Sequence, residues 1–198
     1  MLSFFAISGG NMEEFRIYSI SDEYVMFLQE YFPNVYSNKV ENRTHTRKYI
    51  GTVMNINEIC YYIPMSSPKE SDYQVAGPEK VIKKSIIPII RIVVKNSKGE
   101  KELKGTLRIS HMIPVPTSEL IEYDIDAEKD VDYRELVKDE WLFIRRHKDK
   151  IANYAKVMYK QKNEEFNIGY VKSALEFKKL EERYKEFEKR VLTCNTVE

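Results

Sequence analysis

Two cysteines, Cys60 and Cys194, cannot build a disulfide framework, and neither sits at a metal-ligand spacing. Cys60 lies in an apolar run and reads as a buried thiol, whereas Cys194 lies in a polar tail and reads as exposed. A reducing cytoplasm fits this usage. Glycine and proline are scarce, at 7 each, which excludes fibrous and low-complexity classes. Apolar residues make up 42% of the chain, too many for a disordered one. An excess of one charge is also lacking: 32 Lys and Arg against 31 Asp and Glu leave a net charge of +1. A non-specific nucleic-acid binder is usually strongly basic, so any nucleic-acid contact here has to come from local segregation of charge. No stretch approaches the roughly 20 apolar residues needed to cross a bilayer. The apolar opening, Met1 to Gly10, lacks the basic flank and the length of a secretory signal. Met12 is a plausible alternative start. Residues 1–11 therefore read as an N-terminal extension, 12–192 as one domain and 193–198 as a tail.

Chemical motifs are sparse too. There is no Rossmann or P-loop glycine pattern, no paired-His metal motif and no nucleophile elbow. The three histidines, His45, His111 and His147, are scattered.

What the chain does have is tyrosine, 14 in all, and a clear change of hydrophobic period part-way along. Phe15 to Ile20 alternates as a half-buried strand does. Ser21-Asp22-Glu23 signals a helix start, with Tyr24, Phe27, Leu28 and Tyr31 at helical spacing and Pro33 as the stop. Asn34 to Thr46 reads as a basic loop. Lys48 to Ile56 and Glu58 to Met65 read as a hairpin around Asn57, followed by an irregular stretch to about Glu79. Ser85 to Val94 reads as a strand with Pro88 at an edge or bulge, returning through Ser97-Lys98-Gly99 along Glu102 to Ser110. From there the period is helical. A short helix runs from Thr117 to Ile121. A long one starts at Asp132, with Val137, Trp141, Ile144, Ile151, Ala155 and Met158 on one face, and a last one spans Tyr170 to Leu192 with Leu175, Leu180, Tyr184, Phe187 and Val191 inward. The expected fold is α+β: a strongly twisted antiparallel sheet closed into a small barrel, with inserted and appended helices.

The chemistry concentrates at the two outer ends of the hairpin. Upstream stand Tyr36, Lys39, Arg43, His45, Arg47 and Lys48; downstream stand Ser66, Ser67 and Lys69. The outer ends of a hairpin lie side by side, so these groups should meet, with few acids other than Glu41 and Glu70 nearby. A meeting of cations and hydroxyls suits a phosphate. It also suits RNA cleavage without a metal, in which a ribose 2′-OH attacks its own phosphodiester and cations stabilise the phosphorane. On composition alone, Ser66 to Lys69 reads first as a plain turn, Arg43 to Lys48 as a solvated loop, and His45 and His111 as structural or exposed. A non-catalytic RNA-binding module and a protein-interaction module with a Tyr-rich face stand as alternatives.

Six motifs follow in order along the chain: Phe15-Arg16-Ile17-Tyr18-Ser19-Ile20, Arg47-Lys48-Tyr49-Ile50-Gly51, Pro64-Met65-Ser66-Ser67-Pro68-Lys69, His111-Met112-Ile113-Pro114-Val115, Leu142-Phe143-Ile144-Arg145-Arg146 through Ile151, and Phe177-Lys178-Lys179-Leu180-Glu181-Glu182. This ordered set resembles the ToxN/AbiQ family of type III toxin–antitoxin endoribonucleases. The resemblance implies a fold related to the MazF/Kid-like barrel. It also implies metal-independent endoribonuclease activity leaving 2′,3′-cyclic phosphate and 5′-OH ends, with no cofactor. The implied partners are a repeat RNA, processed into small inhibitory pseudoknots that assemble with several toxin copies, and cellular or phage transcripts. The implied role is phage defence or plasmid maintenance. Carried onto this sequence, the catalytic set is Ser67, Ser66, Lys69, Arg47 or Lys48, and Tyr36. Lys39, Arg43, His45, Arg145, Arg146, Lys150 and Lys156 are candidates to track the RNA backbone.

Overall fold

The computed structural model describes residues 15–38 and 44–195. The extension and its Met12, together with Lys39, Glu41, Arg43 and the Cys194 side chain, lie outside the described residues. Nine strands and five helices follow in chain order among those described: β1 (Arg16–Ile20), α1 (Asp22–Tyr31), β2 (Tyr49–Ile56), β3 (Ile59–Ser66), β4 (Tyr73–Ala76), β5 (Glu79–Ile82), β6 (Ile90–Lys95), β7 (Lys101–Leu107), β8 (Ile113–Pro114), β9 (Leu120–Glu122), α2 (Val131–Arg146), α3 (Lys148–Asn163), α4 (Gly169–Lys172) and α5 (Phe177–Asn195).

The fold is α+β with an antiparallel sheet. Seven strands form it, in the path β6-β7-β3-β2-β1-β9, with β8 also on β3. One edge of β3 pairs with β2. Its other edge is shared: Tyr61 and Tyr62 face Pro114 and Ile113 of β8, and Met65 and Ser66 face Leu107 and Thr106 of β7. The Ser66 end of β3 is thus where two parts of the sheet meet. The path ends at β6 and β9, and no pairing between those ends closes it among the described residues, so the expected barrel closure is not among the observed pairings.

Local chemistry accounts for the elements read correctly. The Ser21 hydroxyl accepts the Tyr24 N–H at 3.1 Å and starts α1. Asn57 and Glu58 both take positive φ, 49° and 68°, which gives the tight two-residue turn between β2 and β3. Gly51 on β2 allows the Tyr62 ring to lie against the backbone: a Cβ there would meet Tyr62 Cδ1 at 2.2 Å. Gly51→Ala is expected to lower stability by about 1–3 kcal/mol through overpacking, read as a reduced urea midpoint.

Six expectations need correction. The stretch read as irregular contains the β4–β5 hairpin, turning at Gly77 with φ 64°. The strand expected from Ser85 starts at Ile90. Ile86 and Ile89 exchange backbone hydrogen bonds around Pro88, whose missing N–H breaks the ladder. Thr117–Glu119 is a single 3₁₀ turn leading into β9, not a helix. The long helix divides at His147, with Asp130 rather than Asp132 as its cap. The His147 ring nitrogen bonds the Phe143 carbonyl at 2.8 Å, and its φ of −116° leaves the helical range. The last helix starts at Phe177, after a break in which the Leu175 N–H bonds the Ser110 carbonyl. Cys60 is only partly buried, because Ile59 and Tyr61 on either side of it take the inward face of β3.

The core lies between the sheet and the helices. Ile50, Ile63, Ile92 and Leu107 from the sheet meet Val137, Ile144, Ile151, Ala155 and Met158 from α2 and α3, and Leu180 and Phe187 from α5. Trp141 and Val191 only flank it. No helix among the described residues is long and apolar enough to cross a membrane.

Candidate active site

The register of β2 on β3 pairs Tyr49 with Pro64, so the residues just before β2 and just after β3 are neighbours. Arg47 joins them. Its guanidinium donates to the Ser66 hydroxyl at 3.0 Å, to the Met65 carbonyl at 2.8 Å and to the Ser37 carbonyl at 3.0 Å. It is only 7% exposed, and it lies 4.7 Å over the Tyr36 ring. Arg47, Ser66 and Ser67 border one cavity of about 300 Å³ with Thr44, His45, Thr46 and Lys48. Ser67 and Lys69 are exposed. Five of the six candidate catalytic residues therefore belong to one neighbourhood: Tyr36, Arg47, Ser66, Ser67 and Lys69.

Lys48 also borders the cavity, but its ammonium turns elsewhere. It donates to the Ser19 hydroxyl at 3.1 Å and sits 4.2 Å over the Tyr123 ring. Successive residues of an extended segment point to opposite sides, so Arg47 and Lys48 cannot both reach the Ser66 turn. Burial lowers the Lys48 pKa against the pull of Glu128.

A buried carboxylate sets the Ser66–Lys69 turn. Asp72, 1% exposed, accepts the Lys69 N–H at 3.0 Å. The same carboxylate lies 3.1 Å from Arg91 and 3.5 Å from Arg108, as ion-pair contacts without the alignment of a hydrogen bond. Arg108 reaches the site because its N–H bonds the Pro64 carbonyl, where β7 ends beside β3.

That third segment also brings in His111. Its ring stacks on Tyr36 at 4.5 Å and 11°, and its Nδ1 lies 3.0 Å from the Ser110 hydroxyl. Burial, reinforced by the charges of Arg108, Arg47 and Lys69, pushes its pKa down to about 4. The imidazole is neutral at pH 7, among three cations. The unfolded imidazole takes up a proton as pH falls through 6.5 and the folded one does not, so its contribution to stability is present above pH 6.5 and is lost toward pH 4. The stability of the wild type minus that of His111→Asn is expected to fall by about 3 kcal/mol over that window, measured by urea denaturation at each pH.

His45 stacks on Tyr133 of α2 at 3.7 Å and 3°, and its Nε2 lies 3.2 Å from an Asp130 oxygen. Arg145, Arg146, Lys150 and Lys156 are exposed on α2 and α3, and none of them borders the cavity. Among the described residues no three His, Cys, Asp or Glu side chains group together as metal ligands. The donors around Ser66 are cations and hydroxyls, the set for an anion.

Sequence reasoning missed Arg108 and Glu140 and set His111 aside. Glu140 had left a signal: it is three residues after Val137 and four before Ile144, on the apolar face of its helix.

The family model described as the ToxN toxin of type III toxin–antitoxin systems matches residues 16–185. The chain belongs to the ToxN toxin family. The endoribonuclease ToxN of Bacillus thuringiensis subsp. kurstaki is 28% identical over 188 residues, covering 91% of this chain and 88% of that protein. The endoribonuclease AbiQ of Lactococcus lactis subsp. lactis is 30% identical over 169 residues, covering 84% and 85%. The solved structure of AbiQ, a lactococcal anti-phage endoribonuclease of the type III toxin–antitoxin system, superposes with a TM-score of 0.71 at 24% identity, over 88% of this chain and 98% of that one. A bacterial type III toxin that is selectively inhibited by a non-coding RNA pseudoknot superposes at 0.68 and 24%, over 89% and 99%. The ToxN fold therefore accounts for nearly the whole described chain, helices included.

Proposed function

We propose that this chain is a metal-independent endoribonuclease toxin that cleaves RNA by attack of a ribose 2′-OH on the adjacent phosphorus. The observation that carries the reading is the convergence of Arg47, Arg108 and Lys69 on a neutral His111, beside the Ser66 and Ser67 hydroxyls. The new 2′-O–P bond closes a 2′,3′-cyclic phosphate. The P–O5′ bond breaks, and the leaving oxygen takes a proton to become a 5′-OH. Lys69 and Arg47 neutralise the charge of the phosphorane, and Ser67 and Ser66 hold a non-bridging oxygen. Proton transfer falls to Tyr36 and the unprotonated imidazole stacked on it. Residues 12–192 act as the toxin domain.

The partner we assign is a small pseudoknot RNA antitoxin, with cellular or phage transcripts as targets and phage defence as the role. Family membership and the names of the relatives support this. Several toxin and RNA copies would assemble together, with the exposed cations of α2 and α3, Arg145, Arg146, Lys150 and Lys156, following the RNA backbone.

Purified protein incubated with precursor RNA should yield 2′,3′-cyclic phosphate ends in the presence of EDTA. Ser67→Ala should slow that cleavage about tenfold, the loss of one hydrogen bond to a charged oxygen. Intact RNA with the wild type, or full activity in the variant, would refute the reading.

A further inference from the structure

The cavity beside Ser66 extends past the phosphate-binding groups to a wall formed by α2. Tyr133, Leu136 and Glu140 face it, at helical steps of three and four. His45, stacked on Tyr133, adds an aromatic face. Its volume of about 300 Å³ is at the lower end for ligand pockets, suited to one planar group. Glu140 is 7% exposed and opens onto the cavity, and its carboxyl has no hydrogen-bond partner among the described residues. It sits where a Cβ on residue 105 would be, 2.0 Å from that position, so Gly105 makes the room for it; the Ser66 carbonyl is 3.3 Å from the same point. A buried polar group without a partner costs stability, and a ligand can provide the missing partner.

We propose that this cavity receives one nucleobase of the RNA next to the scissile phosphate, and that Glu140 reads the hydrogen-bonding edge of that base. The inference rests on the RNA-cleaving function proposed above. A base turned out of its stack would lie against the His45–Tyr133 pair and meet the carboxyl at its edge.

The charge state of Glu140 defines what it can read. Burial and the charge of Asp139 push its pKa up to about 8, against the pull of Lys104. Lys104 on β7 is itself tied to Glu102 at 3.0 Å and Asp139 at 3.3 Å. The other groups facing the cavity are His45, Arg47 and Lys48 on the loop before β2 and Tyr133 on α2. At neutral pH the protonated carboxyl offers one donor and one acceptor. Above pH 8 the carboxylate only accepts, and guanine is the base whose pairing edge presents two adjacent donors.

The test uses the full chain and short RNA substrates bearing each base in turn, or an abasic nucleotide, at positions flanking the cleaved bond. Wild type should show one position at which removing the base slows cleavage about tenfold. In Glu140→Leu that penalty should shrink to within twofold. Raising the pH from 6.5 to 9 should increase the rate with guanine at that position relative to the other three bases by about fivefold in wild type. In Glu140→Gln, whose amide keeps a donor and an acceptor at every pH, that ratio should not move. Equal rates with and without the base at every flanking position would overturn the pocket, as would a penalty that survives Glu140→Leu. If Glu140→Leu does not fold, the pH response of wild type against Glu140→Gln decides alone, and a constant guanine ratio in wild type rejects the proposal. A chain that cleaves no RNA would instead sink the proposed function itself.

Discussion

A Lys69→Ala chain is expected to keep its fold and to cleave RNA about a hundred- to a thousandfold more slowly. The side chain is exposed, and the structural contacts of residue 69 are its backbone N–H to the Asp72 carboxylate and its carbonyl to the Asp72 N–H, both of which alanine retains. The melting temperature should therefore stay within a degree or two. In the proposed mechanism the ammonium bears instead on the reacting phosphate. Its charge joins those of Arg108 and Arg47 in disfavouring a protonated His111, and a cation there would also stabilise negative charge on a phosphorane. Losing one preorganised group that stabilises developing negative charge costs about 10²–10³ in rate. Single-turnover cleavage of a precursor RNA reads it directly, with the loss in kcat rather than KM because the interaction strengthens in the transition state. Lys69→Arg keeps the charge and should recover part of the rate. Near-normal turnover in Lys69→Ala would remove Lys69 from the chemistry and leave Arg47 and Arg108 as the cations at the phosphate.

The parts of this site that were legible in the sequence are those that a hairpin brings together. Arg47 and Ser66 are 19 residues apart, but two strands and a two-residue turn account for that gap, so register alone places them side by side. The family resemblance then singled out the Ser66–Lys69 turn. Arg108 and His111 were not legible in the same way. They arrive through the pairing of β7 with the free edge of β3, and a single sequence does not show which edge a later hairpin will join. Arg47 against Lys48 was undecidable for a smaller reason: the phase of a short extended segment sets which side chain faces the turn, and one residue of slip exchanges them. The helix boundaries failed where side chains competed with the backbone, as His147 does at the end of α2. Periodicity did register the buried face of α2, and Glu140 breaks the apolar pattern of that face. A charged residue at such a position is evidence of a buried function as much as of an error in the helical phase.

Asp72→Ala should destabilise the protein by about 3–5 kcal/mol, more than any other single truncation near the site. The carboxylate is 1% exposed and lies between Arg91 and Arg108, themselves 7% and 17% exposed. Removing it leaves two guanidinium groups side by side in a poorly solvated place with no counter-charge, the case in which breaking a buried pair costs most. It also frees the Lys69 N–H, so the turn carrying Ser67 and Lys69 loses one of its two bonds to residue 72. Two effects should then separate. Urea denaturation should show a lower midpoint at unchanged slope, which reports stability alone. Cleavage measured well below the new melting temperature, where the chain is still folded, should nonetheless be slower, because a loosened turn misplaces the hydroxyl and the ammonium relative to the phosphate. Asp72→Asn retains an acceptor for the Lys69 N–H but not the charge, so it should restore more of the activity than of the stability. Equal recovery of both would mean that the carboxylate holds the turn through its charge and not through the hydrogen bond. A stability loss below about 1 kcal/mol in Asp72→Ala would show that water reaches Arg91 and Arg108 and does the same work.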